Sequence, residues 1–196
     1  SKQKSPICVI TFDDGWRDFH EFAYKILKAW KVPATVFLPT NYIDTESRFW
    51  TDRLANLFVQ KQRNNHRPKN RGLSGNYAVR NIIGLGGPLE SRIENAINIL
   101  KNYRDDEISN VLGEITALWD IDPPSNERVF LTWEEVKCMR ESGLISFGSH
   151  THNHKMLTHM DHVDIMEELI QSKEILLKRK VVDPSFIPFS YPNGNH

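Results

Sequence analysis

Ile7-Cys-Val-Ile-Thr-Phe-Asp-Asp-Gly15 is the stretch that decides the fold. Its β-branched, apolar first half reads as a buried strand over Ile7 to Phe12. The strand runs into two adjacent carboxylates and a glycine that can turn the backbone sharply. Like charges at such short range resist joint ionisation, and burying both is costly. An Asp-Asp-Gly alone is satisfied by an ordinary solvated turn, where both residue types are common. A second cluster far downstream, His150-Thr-His-Asn-His154, changes that reading. Neutral imidazoles with one carboxylate are a common ligand set for a zinc-type ion that keeps a position open for water. The other carboxylate of the pair is then free to act as a base.

Three histidines within five residues are rarely structural filler. A strand would point all three the same way, whereas a turn of helix or loop brings His150 and His154 together. Those two read as ligands, and His152 as a supporting or exposed residue. His159 and His162, near the next helix start, carry no assigned role.

Outward from the first motif, Phe19, Phe22, Ala23, Ile26, Leu27 and Trp30 recur at helical spacing. Residues ~17–30 therefore read as an amphipathic helix packed on a sheet, with His20 at its surface or boundary. Pro33 ends that helix, and Ala34 to Leu38 is a second strand. Strand, helix and strand with short connections form a βαβ unit of a parallel sheet. The pattern returns after Pro123-Pro124. Thr132-Trp-Glu-Glu135 has the capping-box form, and the helix it opens ends at Gly143. Leu144 to Phe147 is a strand, a helix follows over about Asp161 to Arg179, and Phe186 to Phe189 reads as a further short strand. Three motif-like segments thus lie just past strand C-termini, the face on which parallel α/β barrels carry their active sites.

Between these halves, residues 44–128 read as a helical insertion. Leu89, Ile93, Ala96, Ile97 and Leu100 have helical spacing, as do Ile108, Val111, Leu112, Ile115, Leu118 and Trp119. The polar, basic segment Lys61 to Gly75 reads as a mobile solvated loop.

The 196 residues carry 25 basic and 25 acidic side chains, with no net charge. That length suits one domain, or one domain with an insertion. Neutrality gives no support for a nucleic-acid or anionic-membrane partner. No apolar run approaches the ~18 residues of a membrane span, and no signal peptide is visible. The start reads as a cut or processed one. Cys8 and Cys138 sit in apolar-patterned stretches and read as buried thiols rather than a disulfide or a metal pair. Oligomeric state has no signature here.

Thr11-Phe-Asp-Asp-Gly15 and His150-Thr-His-Asn-His154, with Leu131-Thr-Trp133 and Ser146-Phe-Gly-Ser149, resemble the polysaccharide deacetylases with the NodB-homology domain (carbohydrate esterase family four). The similarity covers residues ~7–43 and ~129–196, and Phe49-Trp-Thr-Asp-Arg-Leu54 with the helical insert resembles a bacterial subgroup. The resemblance implies an α/β fold, a distorted and incomplete (β/α) barrel, with residues 1–196 as one catalytic domain and 44–128 inserted in it. It implies Asp13 as general base, and Asp14, His150 and His154 as ligands of a divalent ion, Zn2+ first, with Co2+, Ni2+ or Mn2+ as alternatives. It implies removal of N-acetyl or O-acetyl groups from a sugar polymer or glycan, in an extracellular, periplasmic or cell-envelope setting.

Phe189-Ser-Tyr-Pro-Asn-Gly194 occupies the place of the family's third motif, which makes the backbone amide of Asn193 the expected oxyanion donor. Ser190 stands where the family has an arginine that steadies the base, and Asn193 stands at a tyrosine position. The family's final motif, with the histidine that protonates the leaving amine, belongs beyond His196, so the chain reads as truncated at its C-terminal side. Trp16, Trp50 and Tyr191 are the expected sugar contacts, the flat indole faces suiting a sugar ring. Trp133 reads as a packing residue. Two rival functions stay open: an amidohydrolase of a small non-sugar amide, and a catalytically silent glycan-binding module.

Overall fold

The computed structural model describes residues 7–64, 75–121 and 127–192. The chain divides into two compact units, one comprising Ser1–Ser47 with Glu127–His196 and the other Arg48–Asn126.

The first unit is mixed α/β around an open, three-stranded parallel sheet: a distorted and incomplete (β/α) barrel. Strand β2 (Ala34–Leu38) is central, flanked by β1 (Thr11–Phe12) and β3 (Ile145–Ser149). Thr11 and Phe12 pair with Thr35 and Val36, and β2 pairs with β3 from Ala34↔Ile145 to Leu38↔Ser149. Val36, Leu38, Ile145 and Phe147 share one face of the sheet by this register and are buried, whereas Ser146 on the opposite face is exposed. Helix α1 (Tyr24–Trp30) links β1 to β2, α6 (Trp133–Glu141) leads into β3, and α7 (His162–Lys178) follows the histidine cluster.

Local chemistry explains the α6 boundaries. Thr132 Oγ1 accepts the Glu135 amide at 3.1 Å, and the Glu135 carboxylate accepts the Thr132 amide at 2.8 Å. Burial alone would raise the Glu135 pKa; the Thr132 amide and the Arg128 guanidinium outweigh it and hold the carboxyl below its ordinary value. Past the helix, Gly143 takes the left-handed φ of 73° that glycine tolerates at a C-terminal cap.

Several expectations are corrected. Ile7 and Val9 are 91% and 73% exposed rather than buried in a six-residue strand. Sheet pairing starts only at the Ile10 carbonyl, which accepts the Thr35 amide, and an apolar run does not reveal how many neighbours will cover it. The first helix opens as a π turn over Phe19–Ala23 before α1 proper. That wider turn shifts the helical phase, so Tyr24 and Leu27 face inward while Phe22, Ile26 and Trp30 are exposed. Cys8 and Cys138 are free and exposed, one in the unpaired lead-in to β1, the other on α6 away from buried Trp133, Val136 and Met139. Phe186 to Phe189 forms only isolated bridges, Ser149↔Phe189 and Asp183↔Phe186, because Pro188 has no amide to extend a ladder.

The second unit is all helical: α2 (Trp50–Asn64), α3 (Tyr77–Ile83), α4 (Leu89–Leu100) and α5 (Asp105–Trp119). Leu54, Phe58, Val79, Ile82, Leu100, Leu112 and Ile115 build its own core, with Phe58 edge-on to Trp119 at 5.1 Å. Lys61 to Asn64 continue α2 rather than opening a loop, and residues 65–74 of that expected loop lie outside the described residues, as does Pro123-Pro124. Among the described residues no helix is long and apolar enough to cross a membrane.

Gly148 in β3 is where the sheet meets the chain beyond α7. A Cβ there would stand 2.5 Å from the Pro188 carbonyl oxygen and 2.8 Å from the Phe37 ring. Backbone cannot yield as a flexible side-chain tip can. Gly148→Ala is therefore expected to destabilise the protein by about 1–3 kcal/mol through overpacking. A lower urea midpoint at unchanged m-value is the signature to look for.

Candidate metal centre

The parallel register sets the site. β1 and β3 lie on either side of β2 and run the same way, so the residues just past Phe12 and just past Ser149 emerge at one sheet end. Asp14 and His150 are brought together there. The linking loop after β2 is stitched to the histidine loop: His150 donates its amide to Leu38, Thr40 to Thr151, and Asn41 to His152. His154 folds back over His150, the two rings 4.9 Å apart between centroids.

Both imidazoles aim Nε2 at the same atom. His150 Nε2 lies 3.3 Å and His154 Nε2 3.1 Å from Asp14 Oδ1. The three ligand-type atoms all lie within 4.8 Å of one another, the one such group of His, Cys, Asp or Glu among the described residues. His150 is nearly fully buried, and Asp14 and His154 are partly so. Two of these separations match a small divalent ion. Ligands of a tetrahedral ion at ~2.0–2.1 Å stand roughly 3.3 Å apart.

The tautomer also fits. His150 Nδ1 lies 2.9 Å from the Ser190 carbonyl oxygen, which only accepts, so Nδ1 carries the proton. With an ion bound, the neutral ring would direct its Nε2 lone pair to it, the usual arrangement of a metal-bound histidine. Asp14 is held as well: Trp16 Nε1 donates to its Oδ2 at 3.1 Å, leaving Oδ1 for the histidines.

Backbone strain collects at the same place. Asp14, Thr151 and His154 have φ of 69°, 64° and 56°. Each is a non-glycine residue in the left-handed region, and Thr151 is β-branched. Such conformations cost on the order of 1–3 kcal/mol each and persist only where surroundings over-determine them. Around Asp14 those surroundings are Gly15, with φ 63° and its Cα against Leu38 and Ile43, and the segment 129–131. Leu131 donates its amide to Gly15, Arg17 donates to Val129, and Trp16 stacks on Phe130 at 4.6 Å.

The other expected site residues are distributed as follows. Asp13 is exposed beside Asp14, and among the described residues no cationic side chain pairs with its carboxylate. Tyr191 is exposed and lines a cavity of about 730 Å³ with Ser149, Ile165, Leu169 and Phe189. Trp50 opens α2 and packs half-buried on the helical core of the second unit. Asn193 lies outside the described residues, as does His196. His152 points Nδ1 at Thr40 Oγ1, 2.9 Å away, and burial pushes its pKa below the usual histidine value.

Three contributors escaped the reading of the sequence. The Trp16 indole N–H orients Asp14, a role beside the expected sugar contact, and only its position two residues on hinted at it. The Ser190 carbonyl has no side-chain signature. Glu168 is a charged residue that nothing in the helix pattern marks as inward, and it is buried.

The sequence profile described as polysaccharide deacetylase matches residues 1–79 and 86–196. The chain belongs to the polysaccharide deacetylase family. Among solved structures, IcaB from Ammonifex degensii is similar at 14% identity and a TM-score of 0.47, covering 97% of this chain and 52% of that one. The BpsB deacetylase domain from Bordetella bronchiseptica is similar at 16% identity and a TM-score of 0.43, covering 96% and 56%. This family member thus spans about half the length of those solved chains. Comparison with curated proteins gives no match.

In this polysaccharide deacetylase relative, burial by itself would raise the Asp14 pKa. Hydrogen bonds and charge from His150 and His154 outweigh it and hold the carboxyl well below the carboxylate range. A depressed carboxylate stabilises the fold above its unfolded value, ~3.9, and loses that contribution as pH falls through its folded value. In metal-free protein Asp14→Asn should therefore lower the urea midpoint at pH 5. The gap from the parent should shrink as the pH is taken below about 3.

Proposed function

We propose that this chain is the catalytic unit of a metal-dependent deacetylase acting on an N-acetylated, or O-acetylated, sugar polymer or glycan. In this reading residues 1–196 act as one catalytic domain, with residues 44–128 as its helical insertion. The observation that carries the reading is the convergence of His150 Nε2 and His154 Nε2 on Asp14 Oδ1, with a second carboxylate adjacent in sequence. Family membership supports the substrate class.

Asp14, His150 and His154 would hold the ion, Zn2+ first and Co2+, Ni2+ or Mn2+ as alternatives, because His and Asp donors accept all of these. The chemistry such an ion supplies is polarisation of the acetyl carbonyl and acidification of water. Asp13, exposed and next to Asp14, takes the proton from the attacking water as the new C–O bond forms. Trp16 keeps Asp14 turned toward the histidines throughout, through its 3.1 Å bond to Oδ2. His150 is fixed by the Ser190 carbonyl, so its ring cannot swing out as charge builds on the acetyl oxygen. The Asn193 amide is assigned to that oxygen by its place in the third motif. Cleavage of the C–N bond, with a proton delivered to the leaving nitrogen by the general acid that the family's final motif supplies, releases acetate and leaves a free amine on the sugar. Where an O-acetyl C–O bond is cleaved, a hydroxyl is left instead. Trp16 and Tyr191 are assigned to the glycan, and Trp50 is a separate candidate contact on the helical insertion.

Metal content and acetate release from N-acetylglucosamine oligomers test the reading together. The parent should bind one equivalent of metal and release acetate, and the His150→Ala, His154→Ala double variant should lose both. Asp13→Asn should keep its metal and lose about 10²–10⁴-fold in kcat, the usual size of a general-base contribution. Unchanged turnover in that variant would remove Asp13 from its role. Ser190 at the expected arginine position favours the silent glycan binder as second reading, and metal with glycan binding but no acetate would select it. Turnover of small cyclic or linear amides in place of glycans would select an amidohydrolase.

A further inference from the structure

Glu168 is a carboxylate in the middle of α7, and it is 4% exposed. Its Oε2 accepts two consecutive backbone amides, from His152 at 3.0 Å and Asn153 at 2.7 Å. Its Oε1 accepts Asn153 Nδ2 at 2.6 Å, with Lys155 Nζ at 3.9 Å. A buried carboxylate is costly unless its lone pairs are filled, and here charge-assisted donors fill them. Each of these donors belongs to the segment between His150 and Lys155.

That segment needs an external hold. Thr151 and His154 are both in the left-handed region, so the chain cannot relax there without giving up the position of His154. The two amides between them turn toward one point, and without an acceptor they would be left unpaired. Asn153 passes the restraint on, since its Oδ1 accepts Asn41 Nδ2 at 2.7 Å from the loop after β2. Glu168 thus joins α7 to the turn that carries one histidine past the other.

We propose that Glu168 is a positioning residue of the metal centre: its carboxylate locks the His150–His154 turn so that His154 Nε2 meets the same ion as His150 and Asp14. Resting on the metal-site reading above, the proposal adds what holds the site in shape before the ion arrives. Preorganisation of this kind appears as affinity, because a floppy turn would have to be ordered on binding. Glu168→Gln keeps the size of the side chain and removes its charge and one acceptor. Metal affinity should fall by about 10–100-fold, the range for groups that support metal ligands.

The test measures Zn2+ affinity by chelator competition and the visible spectrum of the Co2+ form, for the parent and Glu168→Gln. Amide hydrogen exchange of His152 and Asn153 is followed in parallel in chelator-treated protein. Expected are weaker Zn2+ binding, an altered Co2+ spectrum and faster exchange at both amides, at an unchanged rate in the β2 core. If Glu168→Gln does not fold, Asn153→Ala, which removes the Oε1 and Asn41 contacts without touching α7, should weaken Zn2+ by a smaller factor. A folded variant with parental affinity, spectrum and exchange overturns the proposal. Should the parent itself bind no Zn2+ or Co2+, the metal-site reading falls, and exchange at His152 and Asn153 still decides whether Glu168 holds the turn.

Discussion

Two imidazole nitrogens directed at one carboxylate oxygen form the constraint on which the α/β unit depends. Asp14 Oδ1, His150 Nε2 and His154 Nε2 come from segments more than 130 residues apart in sequence, and they lie 3.1–3.3 Å apart across the Asp14 contacts. Chance packing does not hold such an arrangement. Trp16 clamps one oxygen of the carboxylate, and the Ser190 carbonyl fixes the tautomer of the buried histidine. Asp14 and His150 are thus each restrained on the side away from the cluster.

The sheet that delivers these groups is small. β1 is two residues long, and it still places Asp14 because segment 129–131 runs antiparallel beside residues 15–17. Arg128 and Glu135 anchor that segment through the α6 cap, so the Leu131-Thr-Trp133 stretch supports the first motif from behind. Asp14 and His154 in the cluster and Thr151 beside it hold left-handed backbone, and the cost of those conformations is met by the hydrogen bonds around them. The helical unit solves a separate problem, with its own apolar core from α2 to α5.

Parts of this were legible in the residues alone. The Asp13-Asp14 pair, His150 and His154 stand out by type and spacing, the family resemblance singles out Asp14 as the ligand, and the βαβ order shows which end of the sheet they share. Thr132 and Glu135 announce their cap, and Leu89 to Leu100 and Ile108 to Trp119 announce their helices. Residues whose role depends on a partner were not legible. Cys8, Val9, Phe22 and Trp30 look like core in an apolar pattern, and whether anything covers them is a matter of neighbours. A π turn ahead of α1 rotates the apolar stripe, and nothing in Phe19–Ala23 marks it.

Sequence by itself determined the chemistry available to this protein: two carboxylates, a histidine pair four apart, and alternating strands and helices that put both at strand ends. Those follow from local rules of donor type, turn propensity and period, which need no knowledge of distant contacts. Tertiary structure alone decided how those groups are held. Glu168 is buried where the His152 and Asn153 amides face its helix, and the Trp16 N–H meets Asp14 while Phe130 stacks on its ring. Both depend on meetings between segments far apart along the chain, and such meetings exist only once the sheet register has formed.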